Sequence, residues 1–398
     1  MTSLDLRAVS AALRKTTELL ATELARPGPA APDWTPFEWQ IAQAAATLHG
    51  VSALLARSLR WQGPPGWQRF LTEQSAHTAT RHNRLQRALA LISDRARAEG
   101  IPVLPLKGCA LYAAGLYEDG TRPMADLDLL VAPADGKRAH QMLEALGFQE
   151  AYLTWKHSVF LPRDFSPVNG FGEHAENPTK IELHETICEE LPRRRVELSN
   201  ALFPLRAQPG SNSYRSTGAL MAHLLLHTAG AMVPRSARLL HLLDIARLAR
   251  RMSEENWREL FELDAWWAYP PLKLAARYFD GIPEAVLARA ATSCPRLLGK
   301  VSARSALSDL SLSSLWIEAF PGIEWARTMG EALGLVVSRV RPGAEIIRLR
   351  QILRDEPYHS DSTWARKSQA RRIVSWVTSR QPRPVTLHAV RSALALAQ

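Results

Sequence analysis

A small α/β unit with a mixed sheet, flanked by predominantly α-helical regions, is the architecture this 398-residue sequence predicts. Three observations carry that expectation. Apolar residues recur every three or four positions from Leu4 to about Ala98. At Ile101 the period gives way to short apolar runs bounded by turn residues, and from about Ser216 the helical period returns. The expected organisation is a helical region over 1–98, an α/β core over 99–212, and a helical region with a basic tail over 213–398.

In the first region "LDLRAVSAALRKTTELLATEL" and "FEWQIAQAAATLHGVSALLARSL" read as helices, broken by the four prolines of "RPGPAAPDWTP". "RFLTEQSAHTATRHNRLQRALALISDRARAEG" is a further helix, with Gly100 at its C′ position. "IPVLPLKG" and "ADLDLLVAP" are strands, and "CALYAAGLY" between them is helical. "ADGKRAHQMLEALGF" is a helix stopped by Gly147, and "KIELHETI" is a strand after the loop "PRDFSPVNGFGEHAENPT". Helices then resume with "STGALMAHLLLHTAGAM" and "SARLLHLLDIARLARRM". Tryptophans such as Trp61, Trp67, Trp257, Trp266 and Trp267 fall within helical patterns and are expected to pack between helices.

Hydrophobic residues at 46% and charged residues at 22% are typical of a soluble globular protein, and no apolar run is long enough to span a bilayer. The first twenty residues mix acids and bases and do not look like a signal peptide. Cys109, Cys188 and Cys294 are odd in number and far apart, which favours a reducing cytoplasm over a disulfide framework. The net charge of +10 raises the question of a polyanionic partner. From Arg339 onward, twelve Lys/Arg stand against four acids, so most of the excess lies in the tail. There the arginines interleave with Ile346, Ile347, Leu349, Ile352 and Leu353 at helical spacing. The expectation is therefore a tail that folds onto the α/β unit and covers or shapes its cleft, with nucleic acid an unlikely partner.

Chemistry concentrates in the middle region. Asp126 and Asp128 lie two apart on a strand and so share a face, opposite Leu127, Leu129 and Val131. A solvent-facing pair is the ordinary explanation of such a motif, but the surroundings add more. In "KIELHETI", Lys180, Glu182 and His184 share one face, which makes a third carboxylate available on another strand. Three converging carboxylates can hold two Mg²⁺ ions, the usual apparatus of in-line nucleotidyl displacement. Lys107 and Gly108 end the first strand, where a glycine permits close approach of a triphosphate and a following helix offers N–H donors. Arg122, in the loop before Asp126, adds a fixed positive charge. His223 and His227, one helical turn apart, lack an evident third ligand and are expected to pack or hydrogen-bond rather than bind metal. Asp244 needs a partner on its apolar helix, and Arg238 is off the positions that would pair with it along one face.

Together, "LKGCALYAAGLYEDGTRPMADLDLLV" and "IELHETI" resemble the nucleotidyltransferase fold of the DNA polymerase beta superfamily, in particular a bacterial nucleotidyltransferase family. "HLLLHTAGAMVPRSARLLHLLDIARL" is similar to the helical segment that follows the core in that group, with His223, Arg238 and Asp244 at matching positions. The resemblance spans about Ile101 to Arg251. It implies Asp126 and Asp128 as ligands of two Mg²⁺ ions and Glu182 as third ligand or base. It also implies a nucleoside triphosphate such as ATP as substrate, docked by Lys107, Gly108 and Arg122, with His184 beside it. Two departures stand out: Cys109 replaces the usual serine, and sixteen residues separate it from Asp126. The implied activity is transfer of a nucleoside monophosphate, or a related phosphoryl-linked group, to an acceptor hydroxyl on a small molecule, sugar or modified peptide, in natural-product or polysaccharide modification. The alternatives are an antitoxin-like nucleotidyltransferase acting on a protein, and a non-catalytic peptide- or RNA-binding protein on the same fold.

Overall fold

The computed structural model describes residues 4–165, 171–192, 194–344, 347, 367–378 and 381–396. The N-terminal region is α1 (Leu6–Ala25), α2 (Pro36–Leu48), α3 (Ser52–Ser58) and the long α4 (Pro65–Ala98). Asp5 caps α1 through its side chain, and Thr35 with Glu38 closes a capping box on α2. Helix α4 ends where Gly100 takes φ +69°, a conformation glycine adopts without steric cost.

The core then runs β1 (Pro102–Pro105), α5 (Gly108–Ala113), β2 (Asp126–Leu130), α6 (Gly136–Ala145), β3 (Phe148–Leu153), β4 (Ser158–Pro162) and β5 (Lys180–His184). The ribbon β6 (Cys188–Glu190) and β7 (Arg195–Glu197), the turn α7 (Ser199–Leu202) and β8 (Gly210–Ser211) complete it. Six strands form one mixed sheet in the order β3-β4-β5-β2-β1-β8. Strand β2 is central, antiparallel to β1 and parallel to β5. The three strands read from the sequence are present. The hairpin β3–β4 and the short edge β8 are additions, and both are stretches whose alternation is weak or brief.

Next come α8 (Thr217–Met232), α9 (Leu239–Ala249), α10 (Glu254–Glu262), α11 (Tyr269–Tyr278), α12 (Glu284–Ser293), α13 (Arg296–Ser302), α14 (Leu307–Leu310), α15 (Met329–Val340), α16 (Gln369–Thr378) and α17 (Pro384–Ala395). One hydrophobic core runs through all three regions, from Leu20 through Leu129 and Ile181 to Trp325. Helix α4 packs across β1, β2 and β8. The tryptophans pack as expected: Trp39, Trp61 and Trp67 meet edge-on, tilted or stacked in the N-terminal helices.

The tail differs from expectation. Ile346, Leu349, Ile352 and Leu353 lie outside the described residues, and Ile347 is exposed. Helix α17 buries Ala389, Val390 and Ala393 against Val9 and Leu13 of α1 and Ile41 and Ala44 of α2. Its apolar stripe thus joins a second core with the first two helices rather than the sheet that carries the carboxylates. No helix among the described residues is long and apolar enough to cross a membrane.

Candidate active site

Parallel pairing of β2 with β5 sets the site. The register places Asp126 opposite Lys180, Asp128 opposite Glu182 and Leu130 opposite His184. Because side chains alternate, Leu127, Leu129, Ile181 and Leu183 bury on one face while the acids, Lys180 and His184 gather on the other. Three carboxylates that close together require cations. Two ammonium groups supply them: Lys107 Nζ lies 2.8 Å from Asp128 Oδ1, and Lys180 Nζ bridges Asp126 Oδ2 at 3.0 Å and Glu182 Oε1 at 2.7 Å. His184 Nε2 adds a contact to Asp128 Oδ1 at 3.2 Å.

Charge states follow from this geometry. Burial pushes the Asp128 carboxyl upward, but the Lys107 ammonium and the His184 hydrogen bond outweigh it and hold Asp128 well below the usual carboxylate range. Glu182 goes the other way: burial, then the charges of Asp128 and Asp126, push it up to about 7 despite Lys180. Burial alone would lower Lys107 and Lys180, yet the surrounding carboxylates raise both. The cluster therefore holds Asp128 ionised alongside charged Lys107 and Lys180.

Lys107 sits in a strained turn, at φ 47° for a residue that is not glycine. Its N–H donates to Tyr214 Oη at 3.3 Å, and that hydroxyl contacts His223 Nδ1 at 2.7 Å. The N–H of Cys109 is already bonded to Leu106 O. Cys109 is a small buried residue, its thiol pushed up to about 12, first by burial and then by Asp128.

Arg122 does not join the carboxylate cluster. Its guanidinium is buried and forked onto Asp244 of α9, with Tyr117 Oη donating to Asp244 Oδ1 at 2.6 Å. The structure thus places Arg122 in an ion pair that ties the loop before β2 to α9, away from the carboxylate cluster. Gly108 packs against the same side chain. A Cβ there would lie 2.6 Å from both Arg122 Nη1 and Met124 Sδ, so its smallness serves this packing.

Asp244 finds the partner it needs in Arg122 of the core, whereas Arg238 is exposed at the N-cap of α9. His223 makes the hydrogen bond to Tyr214, and the His227 ring meets His241 edge-on at 4.9 Å. Neither joins a group able to hold metal among the described residues.

Two groups escaped the sequence reading. His157, just before β4, places Nε2 3.5 Å from Glu182 Oε2, and the short "SVFLP" run after it was the available signal. Arg81 of α4 donates to Ala125 O at 2.9 Å and so fixes the backbone entering β2; nothing in a helical repeat announces that role.

The family model described as "Uncharacterised nucleotidyltransferase" matches residues 35–278, more than half of the chain. The matched span begins at Thr35, the N-cap of α2, and ends with α11, so it takes in the whole sheet and the Arg122–Asp244 pair. Neither the curated proteins nor the solved structures compared with the chain include a match. By the family match the chain is a transferase enzyme and belongs to these uncharacterised nucleotidyltransferases.

Proposed function

We propose that the protein transfers a nucleoside monophosphate from a nucleoside triphosphate to an acceptor hydroxyl, with a divalent metal held at Asp126, Asp128 and Glu182. The observation that carries this reading is the in-register pairing of Asp128 with Glu182 beside Asp126. The donor set fits a cation: its oxygens already collect two ammonium groups, and one acid is held ionised within the cluster. When bound, a divalent ion supplies charge neutralisation of the triphosphate and acidification of the attacking hydroxyl.

The chain's own residues do the rest. Lys107 offers its ammonium to the phosphates from a turn held by Tyr214. His184 orients Asp128 through its 3.2 Å contact, and Lys180 keeps Asp126 and Glu182 together. Glu182 serves as third ligand or as the group that accepts the acceptor's proton. The buried free thiols suit a cytoplasmic setting.

Isothermal titration of Mn²⁺ with a non-hydrolysable nucleoside triphosphate tests the reading. The wild type binds both, and Asp126→Asn with Asp128→Asn abolishes metal-dependent nucleotide binding. Equal binding by the double variant rules the assignment out. Labelling of candidate acceptors with α-³²P-labelled triphosphates then identifies the product class.

A further inference from the structure

We infer that one position of this site takes a borderline divalent ion of the zinc or cobalt type through His157 Nε2, His184 Nε2 and Glu182 Oε2. The inference rests on the reading of the cluster as a cation site and names the ion and an additional ligand residue. The three donor atoms lie within 4.8 Å of one another. His157 Nε2 is 3.5 Å and His184 Nε2 is 3.9 Å from Glu182 Oε2. Ligands about 2.1 Å from a tetrahedral ion stand roughly 3.4 Å apart, so closing by up to about 1.4 Å, with His184 Nε2 exchanging its contact to Asp128 Oδ1 for the ion, brings all three together.

The hydrogen bonding of the cluster supports this division of labour. Lys180 occupies Oε1 of Glu182 and leaves Oε2 turned toward the imidazoles. At 3.5 Å the contact of His157 Nε2 with Glu182 Oε2 is too long for a good hydrogen bond. A half-buried imidazole nitrogen and a carboxylate oxygen that face each other just beyond good hydrogen-bond range make an arrangement that a shared ion would complete.

The backbone holds His157 there independently of any metal. Thr154 Oγ1 accepts from the N–H groups of Lys156 and His157 and donates to His157 O, which closes the turn into β4. Pairing of Ser158 with Leu183 then brings His157 level with His184, the two rings meeting edge-on at 4.7 Å. Imidazole nitrogen is a poor ligand for Mg²⁺, which demands oxygen, and a good one for zinc-like ions. Three protein ligands leave further coordination positions open, the pattern of a catalytic rather than a structural ion.

The test is Co²⁺ titration of the full-length, chelator-treated protein followed by visible absorption, with Zn²⁺ or Mg²⁺ as competitor. Pulsed electron paramagnetic resonance of the Mn²⁺ form reads nitrogen coupling directly. Expected are one Co²⁺ per chain, displacement by Zn²⁺ but not by a roughly hundredfold excess of Mg²⁺, and histidine nitrogen coupling. His157→Ala and His184→Ala, each confirmed folded by circular dichroism, should weaken Co²⁺ by about tenfold or more, the least that perturbing a metal's surroundings typically costs.

Unchanged Co²⁺ affinity in both variants, or displacement by equimolar Mg²⁺, overturns the inference. In that case metal-dependent nucleotide binding that still needs Asp126 and Asp128 keeps the proposed function. A wild-type protein that binds no divalent ion, with or without nucleotide, overturns both.

Discussion

Arg122 and Asp244, more than a hundred residues apart in the chain, meet as a two-bond fork, Nε to Oδ1 at 2.9 Å and Nη2 to Oδ2 at 2.7 Å. Both side chains are buried, and Tyr117 completes the carboxylate's hydrogen bonding. The pair joins the loop that delivers β2 to the helix after the sheet. Removing one partner strands a buried charge, so Asp244→Asn should cost about 3–5 kcal/mol. Chemical denaturation measures it. The double variant Arg122→Met/Asp244→Leu should be less destabilised than Asp244→Asn, and a larger loss would count against an ion-pair role.

Gly108→Ala places a methyl group against Arg122 and Met124, both already held in place. A loss of about 1–3 kcal/mol is expected, as for other overpacked positions. Gly66, in the first turn of α4, has nothing within 4 Å and serves as the control. Equal melting temperatures for Gly108→Ala and Gly66→Ala would show that the glycine is not needed for this packing.

Lys180→Met removes the ammonium between Asp126 and Glu182. In chelator the variant should be less stable than wild type. The deficit should fall short of the about 3–5 kcal/mol of a fully buried pair, because Lys180 and Asp126 are both part exposed. Added Mn²⁺ should then raise the melting temperature more in the variant than in wild type. Equal gains would mean that Lys180 and the ion do not share those oxygens.

His49 provides a pH dependence outside the site. Its Nδ1 accepts from Leu239 N at 3.0 Å and its Nε2 contacts Ser313 Oγ at 2.9 Å, in a buried position. Burial, and then Arg238, lower its pKa to about 3 from an ordinary 6.5. The unfolded chain therefore binds the proton first, so this contribution to stability is complete above pH 6.5 and is lost as pH falls toward 3. The slope is about 1.4 kcal/mol per pH unit for one such histidine. His223, also held near 3 by burial, adds to the acid sensitivity. His49→Asn should flatten the fall in melting temperature between pH 6.5 and pH 4, and an unaltered slope would exclude His49 as its source.

The residues of β1, β2 and β5, the shared face of Asp126 with Asp128 and of Lys180 with Glu182, and the stops at Gly100 and Gly147 were legible in the sequence alone. Each depends on local rules: alternation along a strand, helical period and the freedom of glycine. Pairing is not local. Only the tertiary structure decided that β2 and β5 run parallel with Asp128 level with Glu182, because register is chosen by burial of Leu127, Leu129, Ile181 and Leu183 together. Nor could spacing show where a long cationic side chain ends. Arg122 precedes Asp126 by four residues, yet its head turns away to Asp244, because a guanidinium leaving water needs a buried carboxylate and α9 supplies one. His157 entered the site for the converse reason: a hairpin whose strands alternate too weakly to read brings it beside Glu182 by hydrogen bonding between strands distant in sequence.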